Sequence, residues 1–387
     1  MADLESIFDA SVEICPPVKD GDLAAIPAKR GVVMLSAAGG QPILVLTAAD
    51  MRSRVQTRLG EPADDARGKK IDLREITRKV HYSRCASHFE TDLRYLRTVV
   101  KIFPHRYEQM VAWQAPWFVS LDVKSRVPRF SRRRGISASD ATERYFGPFA
   151  AGRDADRFID SLADAFRLCR DVNCLRDAPN HGGCTYAEMN RCVGVGVGRM
   201  SMEDYRLLLE TAGDFAAGRR DGLREKITAD MQAHVKALEF EQAGVCKRRL
   251  ERLSDFDLPA YRYVRDVKDL EFLLVHRGMS AGEYRFFSVV PGEVAEPFVL
   301  EKPATPEKVQ KILAYHDEHR RNASPCCGVE ADLTMGLVTR YLFCEPAKAG
   351  LVVPGPITQD AASVITEFVN RSLKGDGPQA EQDENNS

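Results

Sequence analysis

Residues 31–46 read Gly-Val-Val-Met-Leu-Ser-Ala-Ala-Gly-Gly-Gln-Pro-Ile-Leu-Val-Leu, two apolar runs joined by a stretch of small residues. Because strands are rich in aliphatic and β-branched residues and tight turns are rich in glycine, this stretch predicts a β-hairpin. Asp50 follows, and Met51, Val55 and Leu59 then recur at the spacing of one helix face. A hairpin followed by such a helix predicts a small α/β unit in this part of the chain.

The rest of the chain is predicted to mix helices, strands and irregular segments, which makes the fold class α+β. Strands are predicted at 270–275 and 284–290, a turn at Tyr145–Phe149, and helices at 88–102, 154–168, 201–217, 305–321, 333–344 and 359–373, with two short helices within 222–254. We predict five regions: a small α/β domain (26–110), a basic extended segment with a cysteine-rich region (111–220), a helical hairpin (221–256), an α/β module (257–375) and a disordered tail (376–387).

Charge and hydropathy narrow the class of protein. The 387 residues include 55 Lys and Arg against 56 Asp and Glu, a formal net charge of −1. High-affinity nucleic-acid binding usually comes with a basic excess, so any DNA binding must depend on a local patch and be weak. The apolar stretches are far too short for a membrane span, and the acidic start does not resemble a signal peptide. We therefore expect a cytoplasmic protein without a membrane partner.

One local patch of positive charge stands out between residues 124 and 134. Its cations are Lys124, Arg126, Arg129, Arg132, Arg133 and Arg134, with Phe130 among them. A basic run with an interleaved aromatic residue predicts contact with a DNA backbone. The alternative is a solvated basic loop without a ligand.

Four of the ten cysteines lie within 24 residues, at Cys169, Cys174, Cys184 and Cys192. Four thiolates from one irregular segment can hold an iron–sulfur cluster or a zinc ion. The alternative is four buried thiols, and His181 is a further candidate ligand. Cys326-Cys327 and Cys344 have no metal-ligand spacing, and the glycines of 194–198 follow no strand, which argues against a phosphate-binding loop.

Three blocks, in order, resemble the UvrC family, the nuclease subunit of bacterial nucleotide excision repair. The first runs from Arg144-Tyr-Phe-Gly-Pro-Phe through Phe166-Arg-Leu-Cys-Arg-Asp to Cys184-x7-Cys192. The second is Ser201-Met-Glu-Asp-Tyr with Phe215-Ala-Ala-Gly, and the third is Leu238-Glu-Phe-Glu-Gln-Ala. The resemblance covers about residues 26–255. It implies a 4Fe-4S cluster (or zinc) at the four cysteines, with Cys174 standing in for the family ligand that aligns with Gly196.

The resemblance also implies a GIY-YIG nuclease site, and most of its residues are replaced. Val33 and Leu44 stand where the family has tyrosines, Thr47 where it has a lysine, and Leu96 where it has the metal-binding glutamate; Arg54 is retained. Valine and leucine cannot move protons, and Leu96 cannot hold Mg²⁺, so we expect no catalytic magnesium and no cleavage. The alternative is a working endonuclease with a rearranged site, in which Glu90 or Asp92 supplies the carboxylate.

The third block resembles the UVR motif, a helical hairpin with which UvrC docks on a matching hairpin of UvrB. Leu238, Phe240, Glu241 and Ala243 are the predicted partner-binding residues, and Phe240 is expected to be buried where the two helices meet. The predicted function is excision-repair binding to UvrB or DNA without cleavage. A further alternative is a metal-stabilised adaptor that uses its hairpin on another partner.

Overall fold

Three antiparallel sheets of four or five strands organise the described part of the chain. The structure is a computed structural model that describes residues 7–15, 18, 20–60, 63–64, 70–136, 142–220, 222–323, 328–345, 348 and 350–371. Cys326-Cys327 and the predicted disordered tail lie outside these residues. The separate sheets with their helices confirm the α+β class. Within the described ranges, every helix is too short or too polar to cross a bilayer.

The first sheet contains the predicted hairpin and two strands that were not predicted. Its strands are β1 (Ala10–Glu13), β2 (Gly31–Ser36), β3 (Pro42–Ala48) and β6 (Lys79–Arg84), in the order β1-β6-β2-β3, and β4 (Ala63–Asp64) pairs with β5 (Lys70–Ile71) beside it. Gly39 and Gly40 have φ angles of 73° and 74°, so the turn between β2 and β3 uses left-handed backbone that favours glycine. The helices of this part are α1 (Met51–Gly60), α2 (Leu73–Ile76) and α3 (His88–Ile102).

Helix α3 is buried on two sides. Ser87 caps its N-terminus by accepting a hydrogen bond from the Glu90 amide. Val99 packs in one cluster with Met34 of the first sheet. Phe89 and Leu93 instead pack into the core of the C-terminal part of the chain. The helix therefore joins the first sheet to the C-terminal module.

The second sheet has the order β10-β9-β7-β8. Its strands are β7 (Trp117–Leu121), β8 (Phe130–Arg134), β9 (Arg144–Phe149) and β10 (Arg265–Asp266). The prediction of a turn at Tyr145–Phe149 is wrong, because these residues belong to strand β9. A Cβ atom on Gly147 would lie 2.6 Å from the Phe118 ring, so the glycine serves close packing between strands and not a turn.

The helical hairpin shares one hydrophobic core with this sheet and with the cysteine-rich segment. The helices are α4 (Gly152–Phe166), α5 (Val172–Arg176), α6 (Thr185–Glu188), α7 (Met202–Ala216), α8 (Leu223–Lys236) and α9 (Phe240–Leu253). Phe158, Leu209, Ile227 and Leu253 are all buried in the same cluster. The hairpin therefore packs against the middle sheet unit and shares its hydrophobic core.

The C-terminal module is a five-stranded sheet with helices. Its strands are β11 (Phe272–Arg277), β12 (Glu283–Val290), β13 (Glu293–Val294), β14 (Phe298–Glu301) and β15 (Leu351–Pro354), in the order β13-β12-β11-β15 with β14 also paired to β12. Its helices are α10 (Pro306–Asn322), α11 (Val329–Leu342) and α12 (Gln359–Arg371). The two predicted strands and three predicted helices of this region are confirmed within a few residues.

Candidate functional site

Two of the replaced nuclease positions lie on the same face of the first sheet. Val33 pairs directly with Leu46, and Leu44 pairs with Leu35. Directly paired residues point to the same side of a sheet, and Val33 and Leu35 pack in one core with helix α1. Val33 and Leu44 therefore face α1, on which the retained Arg54 is exposed to solvent. This face carries the exposed Arg54, has Val33 and Leu44 in place of the two motif tyrosines, and includes Tyr82, which pairs with Val33.

The other two replaced positions lie elsewhere. Thr47 is exposed and pairs with Val32, whose side chain is on the opposite face of the sheet from Val33. Leu96 is 1% exposed and belongs to α3, the helix that packs against that opposite face. The structure therefore does not bring Thr47 and Leu96 together with Val33 and Leu44.

Both alternative carboxylates on α3 are bound by the C-terminal module. Glu90 Oε1 lies 2.5 Å from Arg285 Nη1, and Glu90 Oε2 accepts a 2.8 Å hydrogen bond from the Ala86 amide. Asp92 accepts a 2.8 Å hydrogen bond from the Tyr341 hydroxyl. Burial raises the pKa of both carboxyl groups. Each side chain is thus engaged within the protein and is not arranged around an open metal position.

The four clustered cysteines lie together beside the middle sheet unit. Cys169 follows the end of α4, Cys174 lies in α5, Cys184 precedes α6, and Cys192 lies in the turn after it. The Cys169 thiol interacts with that of Cys192, and the Cys174 thiol interacts with that of Cys184. Cys169, Cys174 and Cys192 are buried, and Cys184 is half-buried. A segment that spans 24 residues in the sequence therefore converges on one group of sulfur atoms.

The position of Cys174 explains how the fold can tolerate glycine at residue 196. A Cβ atom built on Gly196 would lie only 2.0 Å from the Cys174 sulfur. The sulfur of Cys174 thus occupies the space into which a side chain at residue 196 would project. This geometry fits the predicted exchange, in which one cysteine takes the place of a ligand that the family carries at the other position.

The cysteines differ in how readily they ionise. The hydrogen bond from Cys169 lowers the pKa of Cys192 to about 6, and the backbone amides of Gly194 and Val195 act in the same direction against the effect of burial. The same hydrogen bond and burial raise the pKa of Cys169, while burial raises the pKa of Cys174 to about 11. Within the described ranges, no three His, Cys, Asp or Glu side chains stand in the geometry of a bound metal ion.

His181 and the glycine-rich turn have structural partners. His181 Nδ1 lies 3.3 Å from an Asp177 carboxylate oxygen, and the His181 amide donates to the Gly196 carbonyl at 2.9 Å. Gly194 and Gly198 have φ angles of 78° and 75° within this turn. The glycines therefore shape the turn that carries Cys192, and the turn follows no strand.

The predicted basic run divides into two parts. Lys124, Arg126 and Arg129 are exposed in the loop between β7 and β8. The other three cations lie on β8 and have local partners. Arg132 forms an ion pair with Asp156, Arg133 lies 4.0 Å from Glu143, and Arg132 and Arg134 stack on Trp117 at 4.7 and 4.9 Å.

Sequence reasoning missed the partners of this run. Trp117 lies opposite Arg134 on the neighbouring strand, and such cross-strand pairs are invisible until the register of the strands is known. Side chains alternate between the two faces of a strand, and this alternation along β7 could have indicated that the Trp117 ring lies on the face that carries the arginines of β8. The loop of Lys124, Arg126 and Arg129 is consequently the part of the run that remains available to a phosphate backbone.

The tip of the helical hairpin exposes apolar side chains. Val235, Leu238 and Phe240 are 47%, 72% and 65% exposed, and Glu241 is exposed beside them. The expectation that Phe240 is buried between the helices is wrong. Leu238 has a φ angle of 60°, so the turn between α8 and α9 uses left-handed backbone.

Ala243 is the predicted partner-binding residue that the fold buries. It is 8% exposed and packs inside the hairpin, where a small side chain lets α8 and α9 approach closely. Ala243 therefore supports the hairpin, and the exposed tip is formed by its neighbours.

Comparisons with known proteins match a segment in the middle of the chain and, for two curated relatives, 60% and 64% of its length. Residues 117–215 match the family model of the UvrC/Cho excinuclease middle domain. The UvrABC system protein C of Hyphomonas neptunium is 27% identical over 240 residues, which are 60% of this chain and 37% of that protein. The UvrABC system protein C of Rickettsia rickettsii is 27% identical over 252 residues, 64% of this chain and 38% of that protein. No solved structure matches at a significant level.

The residues that match the family model show which structural elements this chain has in common with that family. The family model covers strands β7 to β9, the cysteine segment and most of α7. The chain spans less than two fifths of the length of these two curated relatives.

Proposed function

We propose that this chain, a relative of the UvrC family, acts in nucleotide excision repair as a binding protein that does not cleave DNA. The observation that carries the proposal is the chemistry of the face next to α1, where Val33 and Leu44 accompany Arg54. Phosphodiester hydrolysis by a metal-dependent nuclease needs a carboxylate for the cation and a group that activates water. Apolar side chains provide neither function.

The contacts of α3 argue against a rearranged active site. An open catalytic metal position needs a carboxylate that reaches solvent and substrate. Glu90 is 5% exposed and pairs with Arg285, and Asp92 is held by the Tyr341 hydroxyl. A metal ion could bind either carboxylate only after these contacts with the C-terminal module were broken.

The partner surface of this proposal is the tip of the helical hairpin. Its exposed Leu238 and Phe240 form an apolar surface bordered by Glu241 and Lys247. Large exposed apolar side chains at one end of a helix pair favour docking on another helix pair. We assign a UvrB-like protein as the occupant, because the Leu-Glu-Phe-Glu-Gln-Ala sequence of the tip resembles the UVR motif.

The proposal also includes a cysteine-bound group and a weak DNA contact. The four thiols would hold a 4Fe-4S cluster or a zinc ion, which would cross-link the chain between residues 169 and 192. Cys174 in the space of a residue-196 side chain supports this ligand set. The exposed loop of Lys124, Arg126 and Arg129 would contact the DNA backbone, and the net charge of −1 keeps that contact weak.

We predict that the purified protein does not nick DNA. Supercoiled and ultraviolet-damaged plasmid should stay intact with Mg²⁺ or Mn²⁺, with or without UvrB, because Val33 and Leu44 stand in place of the motif tyrosines and Leu96 in place of the metal-binding glutamate. Loss of one charge-stabilising group costs about 10²–10³ in rate, and here several are replaced together. Metal-dependent nicking that disappears in Arg54→Ala would contradict the proposal.

We also predict that the hairpin tip controls partner binding without controlling stability. Glu241→Lys and Phe240→Ser should each weaken UvrB binding by about 10-fold or more, because both residues are exposed on the surface that docks. The thermal midpoint should stay nearly unchanged, since neither side chain is part of the core. Binding is measured by pull-down and calorimetry.

The matched control for this experiment is Glu225→Lys. Glu225 is exposed at the opposite end of α8, so the variant has the same charge change far from the tip. It should bind UvrB as the wild type does. If tip variants that remain folded bind UvrB normally, the partner assignment is wrong, and salt-dependent DNA binding then separates a DNA-binding role from that of an adaptor.

A further inference from the structure

A large cleft lies between the middle sheet unit and the C-terminal module. Its volume is about 1240 Å³, and it is lined from one side by residues of 143–145, 217–220 and 256–270 and from the other by residues of 271, 290–291, 320–323 and 355–356. Seven Lys and Arg residues and five Asp and Glu residues contribute to its walls. The cleft is therefore locally basic in a chain whose net charge is −1.

Three of the seven cations are neutralised by neighbouring carboxylates. Arg144 pairs with Asp214 and Asp266 at 3.1 and 3.0 Å, Arg219 pairs with Asp214 at 2.6 Å, and Arg320 lies 3.7 Å from Glu271. Carboxylates of the protein already balance the positive charges of these arginines, so these arginines do not require a bound anion.

Arg220, Arg265 and Lys268 differ from these paired arginines in the charges that surround them. Among the residues that the structure describes, none of the three has a carboxylate within 4.0 Å, and Arg220 and Arg265 are half-buried in the cleft wall. The Arg265 guanidinium donates to the carbonyl of its neighbour Val264, at 2.8 Å. Three cations on one wall thus face the cleft without an acidic partner.

The guanidinium groups of Arg220 and Arg265 also repel each other. Burial lowers the pKa of Arg220, and the positive charge of Arg265 lowers it further, whereas Asp257 acts in the opposite direction. Asp257 lies 3.7 Å from Arg224, which shares its charge. The Nε atom of Arg220 is buried and has no hydrogen-bond partner among the described residues. An anion in the cleft between the two guanidinium groups would relieve the repulsion.

Contacts with the rings of the middle unit hold Arg220 in position. Its guanidinium lies 5.6 and 5.5 Å from the centres of the Phe215 and Phe256 rings, and it donates to the Phe256 carbonyl at 2.9 Å. The side chain is therefore positioned before any ligand arrives, which lowers the entropic cost of binding.

Apolar surface continues from this basic wall. Leu258 and Val267 are half-buried on the middle unit, and Pro291 is half-buried on the C-terminal module. These three residues line the same cleft as the cations and offer a surface to a flat ring. The volume also exceeds that of ordinary small-molecule sites, which are about 300–1,000 Å³.

We propose that this cleft binds a nucleoside phosphate, with the phosphoryl group between Arg220 and Arg265 and the base against Leu258, Val267 and Pro291. Lys268, exposed at the edge, adds positive charge next to the phosphoryl group. The ligand is either a free nucleotide or the phosphorylated end of a nucleic-acid strand. Both present the same phosphate and ring, so the cleft geometry accommodates either source. The site does not depend on the proposed UvrB contact, because the hairpin tip contributes no residue to it.

Calorimetric titration of the full chain tests this site with three probes: adenosine 5′-monophosphate, inorganic phosphate, and a 5′-phosphorylated hexathymidylate. Arg265→Gln and, separately, Lys268→Gln should weaken binding of the nucleotide probes, by about 10-fold for the arginine, because a charge-assisted bond to phosphate is lost. Arg219→Gln is the matched control, since Arg219 lines the same cleft but is paired with Asp214. It should bind within about two-fold of the wild type.

The results of these titrations distinguish a free nucleotide from a strand end as the ligand. Binding of the monophosphate that Arg265→Gln weakens, at an unchanged thermal midpoint, supports a free nucleotide as ligand; the same result with the hexathymidylate alone supports a strand end. If Arg265→Gln does not fold, Lys268→Gln provides the comparison. Absence of binding of every probe at millimolar concentration, or equal loss in Arg219→Gln, would overturn the site. Inorganic phosphate that binds as tightly as both nucleotide probes would overturn the role of the base.

Discussion

Cys192→Ser should remove the bound iron or zinc from the protein and selectively destabilise residues 150–220. Cys192 is 2% exposed, hydrogen-bonds to Cys169, and accepts a 3.3 Å hydrogen bond from the Gly194 amide. Its pKa, lowered to about 6, makes it the thiol that is most readily available as a thiolate ligand. Binding energy at such sites is folding energy, and structural zinc can contribute about 10–16 kcal/mol in small peptides. Loss of one ligand should therefore have a large effect.

The measurement is elemental analysis of anaerobically purified protein, together with the broad absorption near about 400 nm that iron–sulfur clusters give. Hydrogen exchange would locate the destabilised segment. Cys85→Ser is the matched control, because Cys85 is 5% exposed but lies near the first sheet, away from the cluster. The control should keep its metal. Stoichiometric metal in Cys192→Ser, or no metal in the wild type, would contradict the cluster assignment.

Arg285→Met should lower the free energy of unfolding by about 3 kcal/mol, because it leaves a buried carboxylate without its cation. Arg285 and Glu90 have side-chain exposures of 15% and 6%, and the pair joins α3 to strand β12. Arg285 also donates to Glu283 at 3.1 Å. Methionine keeps most of the aliphatic packing of arginine, so the loss measures chiefly the charge. Urea unfolding is the measurement.

The effect should depend on pH. Burial raises the pKa of Glu90, although the Ala86 amide and Arg285 act in the opposite direction. A carboxyl group whose pKa is higher in the folded protein contributes stability below its ordinary value of 4.5, and this contribution is lost as the pH rises through the folded-state value. Without Arg285 the pKa of Glu90 rises further, so the variant should be more impaired at pH 8 than at pH 5.

The control for this pair is Arg371→Met. Arg371 and Glu367 form an ion pair at 3.2 Å with exposures of 82% and 65%, and exposed pairs contribute about 0–1 kcal/mol. The control should unfold like the wild type at both pH values. An Arg285→Met protein with the stability of the wild type would show that the contact between α3 and the C-terminal module does not contribute to folding.

Periodicity predicted the elements with clear apolar patterns and missed those without them. Helix α3 was predicted at its observed bounds, since Leu93, Leu96 and Val99 recur on a helical face. Strand β6 was not predicted, because its sequence Lys-Val-His-Tyr-Ser-Arg buries two polar residues, His81 and Ser83. A buried polar strand lacks the alternation that distinguishes the two faces of a strand in a sequence.

The site was predictable where one segment supplies all of its residues. The four cysteines of one segment lie beside the same sheet unit, and the sulfur of Cys174 lies where residue 196 would place a side chain, while a metal bound by them stays a prediction. The contacts of Glu90 and Asp92 could not be predicted, because Arg285 and Tyr341 lie 195 and 249 residues away in the chain. Phe240 was misplaced because helical spacing alone does not show how the two helices of the hairpin meet, and the structure leaves its side chain 65% exposed.

The double burial of α3 restricts the side chains that this part of the protein accepts. Leu96→Glu would place a carboxylate at a position that is 1% exposed, and a buried unpaired charge costs several kcal/mol. Val33, in the core beside α1, leaves little room for the larger side chain of tyrosine. Each of these two substitutions should therefore lower stability, because the packing of both positions is adapted to apolar side chains.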